Sequence, residues 1–231
     1  MAPTNMRIVA LADTHTFESE FASPIPDGDV FIHAGDLLRE GTLEELASVA
    51  PWLQSLSHPT KLVIAGNHDV CFQTHREEAC QILGPTVRYL EDEVIQLEGI
   101  TFWGSPWTPR FHDWAFMLER GETIRQKWRK IPDNVDILIT HGPPKGIGDT
   151  VGGFGHMGCT ELAEEMKRIQ PLLHLFGHSH PCGGLYFKDG INFVNVTSWE
   201  CERGPTVFDI APSTKLIQFV DIPRGDLYES S

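Results

Sequence analysis

The chain has no long apolar run, no lysine- or arginine-rich stretch and no C-x-x-C pair, and each absence removes a class of protein. A membrane-spanning helix needs about 18 or more uncharged apolar residues in a row; the first apolar run, Ile8 to Leu11, ends almost at once in Asp13. The N-terminus shows no charged segment followed by an apolar signal stretch. The expectation is a cytoplasmic protein with no membrane partner. Lys and Arg number 18 against 32 Asp and Glu, a formal net charge of −14, so a long nucleic acid, whose phosphates are held by clustered basic side chains, is excluded as partner. The five cysteines, Cys71, Cys80, Cys159, Cys182 and Cys201, are odd in number and widely spaced. They read as reduced structural thiols. No repeat, low-complexity stretch or Gly/Ser linker divides the chain, and 41% apolar side chains can build a substantial core, so one domain over residues 1–231 is expected.

What is present is an alternation of short β-branched runs with helical patterns. Met6 to Ala12, Asp29 to His33, Lys61 to Ala65, Val135 to Thr140 and Leu172 to Phe176 read as buried strands, each a short apolar run. Thr42 to Leu56 opens with a capping box, Thr42 and Glu45, and reads as a helix interrupted by Pro51. Further helices are expected over Thr74 to Leu83, around Ala115 to Arg129, and over Thr160 to Ile169. Hairpin-like strands follow at Val94 to Leu97, Ile100 to Trp103, Leu185 to Phe187, Asn192 to Val196, Thr206 to Ile210 and Lys215 to Val220. Strands alternating with helices, plus hairpins, predict two mixed β-sheets packed as a sandwich with helices outside, a layered α/β fold.

The chemistry-bearing residues stand directly behind the expected strands. Asp13 and His15 follow the first, Asp36 the second, Asn67 and His68 the third, His141 the run ending at Thr140, and His178 and His180 the run ending at Phe176. In open α/β sheets the strand C-termini converge on a crevice, so five distant segments would aim at one place. D-x-H and Gly35-Asp36 are weak signals alone, while Gly66-Asn67-His68-Asp69 and Gly177-His178-Ser179-His180 are stronger. Carboxylate, imidazole and amide oxygen without thiolate suit manganese, iron or zinc and argue against a structural zinc site.

The ordered set D-x-H, G-D, G-N-H-D, T-H-G and G-H-x-H resembles the calcineurin-like metallophosphoesterases over nearly the whole chain. Gly104-Ser105-Pro106-Trp107-Thr108-Pro109 and Leu138-Ile139-Thr140-His141-Gly142-Pro143-Pro144 are similar to the metallophosphoesterase-domain-containing subfamily. The resemblance implies a four-layer α/β/β/α fold. It also implies two divalent or mixed-valence metal ions, manganese or iron favoured and zinc the alternative. One would be held by Asp13, His15, Asp36 and His180, the other by Asp36, Asn67, His141 and His178, with Asp36 bridging. Two such ions, about 3.5–4 Å apart, share a hydroxide that attacks phosphorus in line. Asp36, Asn67 and His68 would be the catalytic positions, His68 protonating or hydrogen-bonding the leaving alkoxide. Ser/Thr phosphatases of the superfamily carry G-D-x-x-D-R-G, whereas here Gly35-Asp36-Leu37-Leu38-Arg39-Glu40-Gly41 lacks the acidic partner of the catalytic histidine. That departure disfavours a protein phosphatase. It leaves Arg39 either as a phosphate contact or as a solvated residue ahead of the helix at Thr42.

The other six of the eleven histidines, His33, His58, His75, His112, His156 and His174, read as structural or surface residues; His112 and His156 lie in loops able to overhang the site. Gly153 to Gly158 matches G-x-G-x-x-G but has no strand before it, so a mobile loop over the site fits better than a dinucleotide fingerprint. Trp103, Trp107, Phe111 and Trp114, with Arg110, form either an aromatic loop packed on the core or a wall for a nucleobase, with Arg110 near phosphate or base. The partner expected from these signs is a small phosphoester, a nucleotide. Phosphodiester cleavage of small or cyclic nucleotides leads, followed by phosphomonoesters and nuclease activity. A low-turnover nucleotide-binding or scaffold protein of the same fold is the alternative of another class.

Overall fold

The computed structural model describes residues 5–151 and 154–228. The strands β1 (Met6–Leu11), β2 (Val30–Ala34), β3 (Thr60–Ile64) and β4 (Arg88–Tyr89) run parallel to one another. Helix α1 (Leu43–Ser55) connects β2 to β3, and α2 (Val70–Thr74) and α3 (Arg76–Leu83) connect β3 to β4. A hairpin of β5 (Glu93–Leu97) and β6 (Ile100–Ser105) starts the second sheet; the short pair β7 (Thr108–Pro109) and β8 (Met117–Leu118), then α4 (Glu122–Trp128), precede β9 (Ile137–Thr140). The pair β10 (Thr150–Val151) and β11 (Gly155–His156) leads to α5 (Thr160–Ile169) and β12 (Leu173–Phe176). Strands β13 (Gly184–Lys188) and β14 (Ile191–Asn195) complete that sheet, and β15 (Thr206–Ile210) and β16 (Ile217–Asp221) return to the first. The two sheets have six strands each, ordered β16-β15-β1-β2-β3-β4 and β13-β14-β12-β9-β6-β5.

The central strands of both sheets are buried on both faces, because each has a second sheet on one side and helices on the other. Successive strand residues point to opposite faces. Ile8 and Ala10 of β1 therefore join Ile32, Phe102, Ile139 and Leu175 between the sheets, while Val9 and Leu11 meet Leu46, Val49, Leu53 and Phe72 from α1 and α2. On the outer face of the second sheet, Leu138 and Phe193 pack on Ile124, Trp128, Leu162 and Met166 of α4 and α5. The result is the expected four-layer sandwich.

Parallel pairing sends β1, β2 and β3 in one direction, and β6, β9 and β12 likewise share a direction within the second sheet. The sheets are stitched together just past these C-terminal ends. Ala12 N–H donates to the Val196 carbonyl at 3.0 Å and Ser198 N–H to the Ala12 carbonyl at 2.9 Å. The loops behind both sets of strands are thereby gathered at one end of the sandwich.

Three local expectations are corrected. Helix α1 runs straight through Pro51: a proline inside a helix costs about 3 kcal/mol, but the carbonyl it orphans belongs to exposed Ala47, and Leu46, Val49 and Leu53 bury about 1.5–3 kcal/mol each. The helix expected over Thr74 to Leu83 starts earlier and breaks at His75, whose φ of −137° separates α2 from α3, with Thr74 Oγ1 turned back onto the Val70 carbonyl. Of Ala115 to Arg129, residues Glu122–Trp128 alone are helical, since left-handed Phe116 (φ 52°) and Gly121 (φ 87°) interrupt the chain and Met117–Leu118 pairs as a strand. No helix among the described residues is long and apolar enough to cross a membrane, and all five cysteines are free thiols.

Thr42 Oγ1 caps α1 by accepting from Glu45 N–H at 3.1 Å, while the Glu45 carboxylate accepts from Gly41 and Glu40 N–H groups. Thr42→Ala is expected to lower stability in urea unfolding by about 1 kcal/mol. Leu175→Ala, between the sheets, is expected to lower it by about 2–5 kcal/mol. Equal losses would contradict the packing described.

Candidate metal centre

All seven sequence-predicted ligands and His68 meet at that end of the sandwich, each on the turn behind its strand. Asp13, His15, Asp36 and His178 have left-handed backbones, with φ of 59°, 47°, 54° and 68°. Such conformations cost of order 1–3 kcal/mol each and persist where surrounding contacts enforce them. Here the enforcing contacts are main-chain bonds between the turns: Asp13 N–H to the Gly35 carbonyl at 3.0 Å and His15 N–H to the Asp36 carbonyl at 3.2 Å. His178 N–H donates to the Asp13 carboxylate at 3.1 Å, joining the second sheet's turn to the first's.

The donor atoms form overlapping groups: Asp13, His15 and His180; His15, Asp36 and His68; Asp36, His141 and His178, each within 4.8 Å. His141 Nδ1 lies 3.0 Å from the Ala34 carbonyl and His15 Nδ1 lies 3.1 Å from the Leu38 carbonyl, so both rings donate through Nδ1–H. Their Nε2 atoms are left to the site. Around His141 Nε2 stand Asn67 Oδ1 at 3.1 Å, His178 Nδ1 at 3.2 Å and Asp36 Oδ2 at 3.2 Å. His15 Nε2 is 3.4 Å from His180 Nε2, and Asp13 Oδ1 is 3.7 Å from that same nitrogen. Lone pairs packed this closely repel unless a cation or proton lies among them, and imidazole fixed by a carbonyl on its far nitrogen is a usual metal-ligating arrangement.

The electrostatics make the same demand. Asp13 and Asp36 are buried, and the ionic partners they have are imidazoles. Burial alone would push both carboxyls up, but His180 beside Asp13 and His141 beside Asp36 outweigh it and hold them well below the usual carboxylate range. Burial works to lower His141, yet Asp36 and Asp13 raise it to about 9, whereas burial takes His178 down to about 4. A proton on His141 supplies positive charge that a bound cation would otherwise provide. The donor set therefore fits a metal centre of two ions; a shared Asp36 is what the resemblance implies.

Asp69 ties the turns together. Its carboxylate accepts N–H groups of Leu37 at 3.2 Å, Leu38 at 2.8 Å and Gly66 at 2.7 Å, so one buried side chain spans the turns that carry Asp36 and Asn67. Burial and the nearby Asp36 push it up to about 7 against those three donors. Two glycines make the approach possible. A Cβ on Gly66 would stand 2.3 Å from Asp36 Oδ1 and 2.7 Å from His141 Cε1, and one on Gly35 would stand 2.5 Å from His141 Nδ1.

A cavity of about 320 Å³ opens beside the cluster, with Asn67, His68 and His178 on its inner side. Phe111, Trp114 and Phe154 line it from two loops, and all three are exposed. Trp114 lies against His68 with ring centroids 4.2 Å apart, and Phe111 meets Phe154 edge-on at 6.2 Å. Arg120 fastens the loops by donating to the Gly158 and Met157 carbonyls at 2.9 and 2.7 Å. His112 lines the cavity, but His156 is turned onto Asp149 at 2.7 Å. The candidate contacts Trp107, Arg110 and Arg39 stand apart from it. Trp107 donates to Asp92 and lies under Lys127 Nζ, Arg110 pairs with Glu119 and Asp113, and the Arg39 guanidinium sits over Phe17. What Arg39 does contribute is its carbonyl, which accepts from His68 Nδ1 at 2.7 Å. Gly153 of the glycine-rich loop lies outside the described residues. Phe154, a lone aromatic among glycines, carried no periodic signal that sequence reading could use.

The family description Calcineurin-like phosphoesterase matches residues 6–182. Human metallophosphoesterase domain-containing protein 1 is 35% identical over 236 residues, a match covering 90% of this chain and 72% of that protein. A UPF0046 protein of Caenorhabditis elegans is 35% identical over 228 residues, covering 90% and 77%. Among solved structures, TT1561 of Thermus thermophilus shares the fold, with a TM-score of 0.62 at 13% identity over 94% of this chain and 99% of that one.

Because the Gly66 backbone has ordinary φ and only space forbids a side chain there, Gly66→Ala is expected to yield folded protein with less than half the wild-type metal content. Metal analysis of purified protein checks this, and full loading would contradict the close approach described.

Proposed function

We propose, from the premise that the chain belongs to the calcineurin-like phosphoesterase family, that this metal-dependent phosphoesterase is a phosphodiesterase acting on small or cyclic nucleotides. The observation that carries the reading is the placement of an aromatic-walled cavity directly against the ligand cluster. A planar, uncharged ring system gains by stacking on Phe111, Trp114 and Phe154, by about 1–3 kcal/mol per base, while its phosphate reaches the Asp36 cluster.

Bound metals, held by Asp13, His15, Asp36, Asn67, His141, His178 and His180, would supply Lewis-acid activation of water and of the phosphoryl oxygens. The remaining work falls to side chains. His68 is oriented by Nδ1–H donation to the Arg39 carbonyl and by Trp114 against its face. Its Nε2 is then the ring nitrogen left to deliver a proton to the departing alkoxide, a role worth about 10²–10⁴-fold. Arg39, whose carbonyl holds His68 Nδ1, stands at the motif position where the superfamily's protein phosphatases carry an acidic residue, and that departure supports a small-molecule substrate over a phosphoprotein. The aromatic walls would orient the substrate's ring beside the cluster.

The test is hydrolysis of bis(p-nitrophenyl) phosphate, p-nitrophenyl phosphate and a panel of cyclic nucleotides by chelator-stripped protein with Mn²⁺ returned. Diester cleavage that Mn²⁺ restores and Asp36→Ala abolishes is the expected result. Stoichiometric metal binding without turnover of any ester would replace it with the nucleotide-binding reading. His68→Ala is expected to slow alkoxide-leaving substrates about 10²–10⁴-fold and nitrophenolate esters much less, because nitrophenolate leaves without a proton; equal losses would remove the acid role. Phe111→Ala with Phe154→Ala is expected to raise KM for nucleotides at least about tenfold, equivalent to about 1.4 kcal/mol of lost stacking, with kcat for bis(p-nitrophenyl) phosphate little changed.

A further inference from the structure

Two histidines outside the ligand cluster stand behind it in matching positions, one in each sheet. His33 lies on β2 and His174 on β12, both fully buried within apolar strands. His174 Nε2 is 2.7 Å from Thr140 Oγ1, and that hydroxyl donates to the Gly142 carbonyl at 2.8 Å. A hydroxyl has a single proton, so Thr140 can only accept from His174, and the ring proton must be on Nε2. His33 repeats the arrangement: Nε2 is 3.0 Å from Thr14 Oγ1, and Thr14 donates to the Leu37 carbonyl at 3.4 Å. In both rings Nδ1 has no partner. With the proton on Nε2 that orphan atom is an acceptor, and no buried N–H is stranded.

Each relay ends on the backbone around candidate ligands. Thr140 and Gly142 flank His141. Thr14 lies between Asp13 and His15, and Leu37 follows Asp36, so the His33 relay ties together turns held at left-handed φ. A threonine with both its donor and acceptor capacity committed has one rotamer, and the adjacent backbone inherits that restriction.

We propose that His33 with Thr14, and His174 with Thr140, are positioning residues, the first pair setting the ligands Asp13 and His15 of one ion and the second setting His141 of the other. The proposal rests on the two-ion ligand assignment above. Groups that orient metal ligands typically change metal affinity by about 10–100-fold when removed.

The test is stepwise Mn²⁺ titration of chelator-stripped protein, followed by calorimetry, with the melting temperature of the metal-free protein recorded alongside. Thr140→Val keeps the side-chain volume and removes the relay; one of the two binding steps is expected to weaken about 10–100-fold, and Thr140→Ser to restore it. His174→Gln, which retains an amide N–H in place of Nε2–H, is expected to bind more tightly than His174→Leu. Thr14→Val is expected to weaken most the step that uses Asp13 and His15, and Thr14→Val with Thr140→Val to weaken both, because the two relays reach different ligand turns. Wild-type affinities in both valine variants, at unchanged melting temperature, would overturn the proposal. So would a loss that follows melting temperature alone and that serine does not rescue. A wild-type protein binding no Mn²⁺ would instead fail the ligand assignment itself, and the proposal with it.

Discussion

Two buried carboxylates, Asp13 and Asp36, have imidazoles and, among the described residues, no lysine or arginine as ionic partners, and the rest of the molecule is arranged around that constraint. Taking an ionised carboxylate out of water costs several kcal/mol even after relaxation. Here the compensation is a shell of imidazole nitrogens and backbone N–H groups, which leaves electron pairs converging on one volume. Such a cluster is stable as a cation site. The overall charge of −14 makes the point sharper, because the remainder of the chain offers no net positive field to offset the pair.

The fold supplies what the constraint needs. Parallel strands from two sheets end side by side, and the main-chain bonds at Ala12, Val196 and Ser198 lock those ends together. Asp69 then grips three N–H groups across two turns, while Gly35 and Gly66 let backbone and imidazole approach within distances that any side chain would fill. Left-handed backbones at Asp13, His15, Asp36 and His178 are the strain that this arrangement sustains. Rigid sheet ends carrying strained, cross-tied turns hold ligands more narrowly than free loops would. The cavity beside them is built differently, from two loops fastened by Arg120 and walled by Phe111, Trp114 and Phe154.

Much of the site was legible in the sequence because metal chemistry restricts residue types and the fold restricts their positions. Asp, His and Asn standing directly after apolar runs pick out the candidate ligands that the fold gathers at one end, and the sandwich with outer helices follows from the same runs. What was not legible depends on tertiary partners. Pro51 reads as a break, yet its orphaned carbonyl lies on an exposed turn and the helix's apolar face outweighs it. Ala115 to Arg129 has helical spacing, but the left-handed Phe116 belongs to a turn that presents Trp114 to His68. Trp107 and Arg110 read either as part of an aromatic loop packed on the core or as part of a wall for a nucleobase; Asp92, Lys127 and Glu119, which engage them, come from elsewhere in the chain. His33 and His174 read as structural, and a signal was present: both ligand motifs place a threonine next to the ligating histidine.

The most direct test of the central claim is urea unfolding of chelator-stripped protein with and without Mn²⁺, with the bound ions counted. If two cations complete the buried cluster, the folded chain binds two ions and the unfolded chain releases them. Stability then rises by about 2.7 kcal/mol for each ion at a free concentration about 100-fold above its Kd, and Asp36→Ala loses the whole increase. Binding that leaves the unfolding midpoint unchanged, or an Asp36→Ala protein stabilised as much as wild type, would contradict the account.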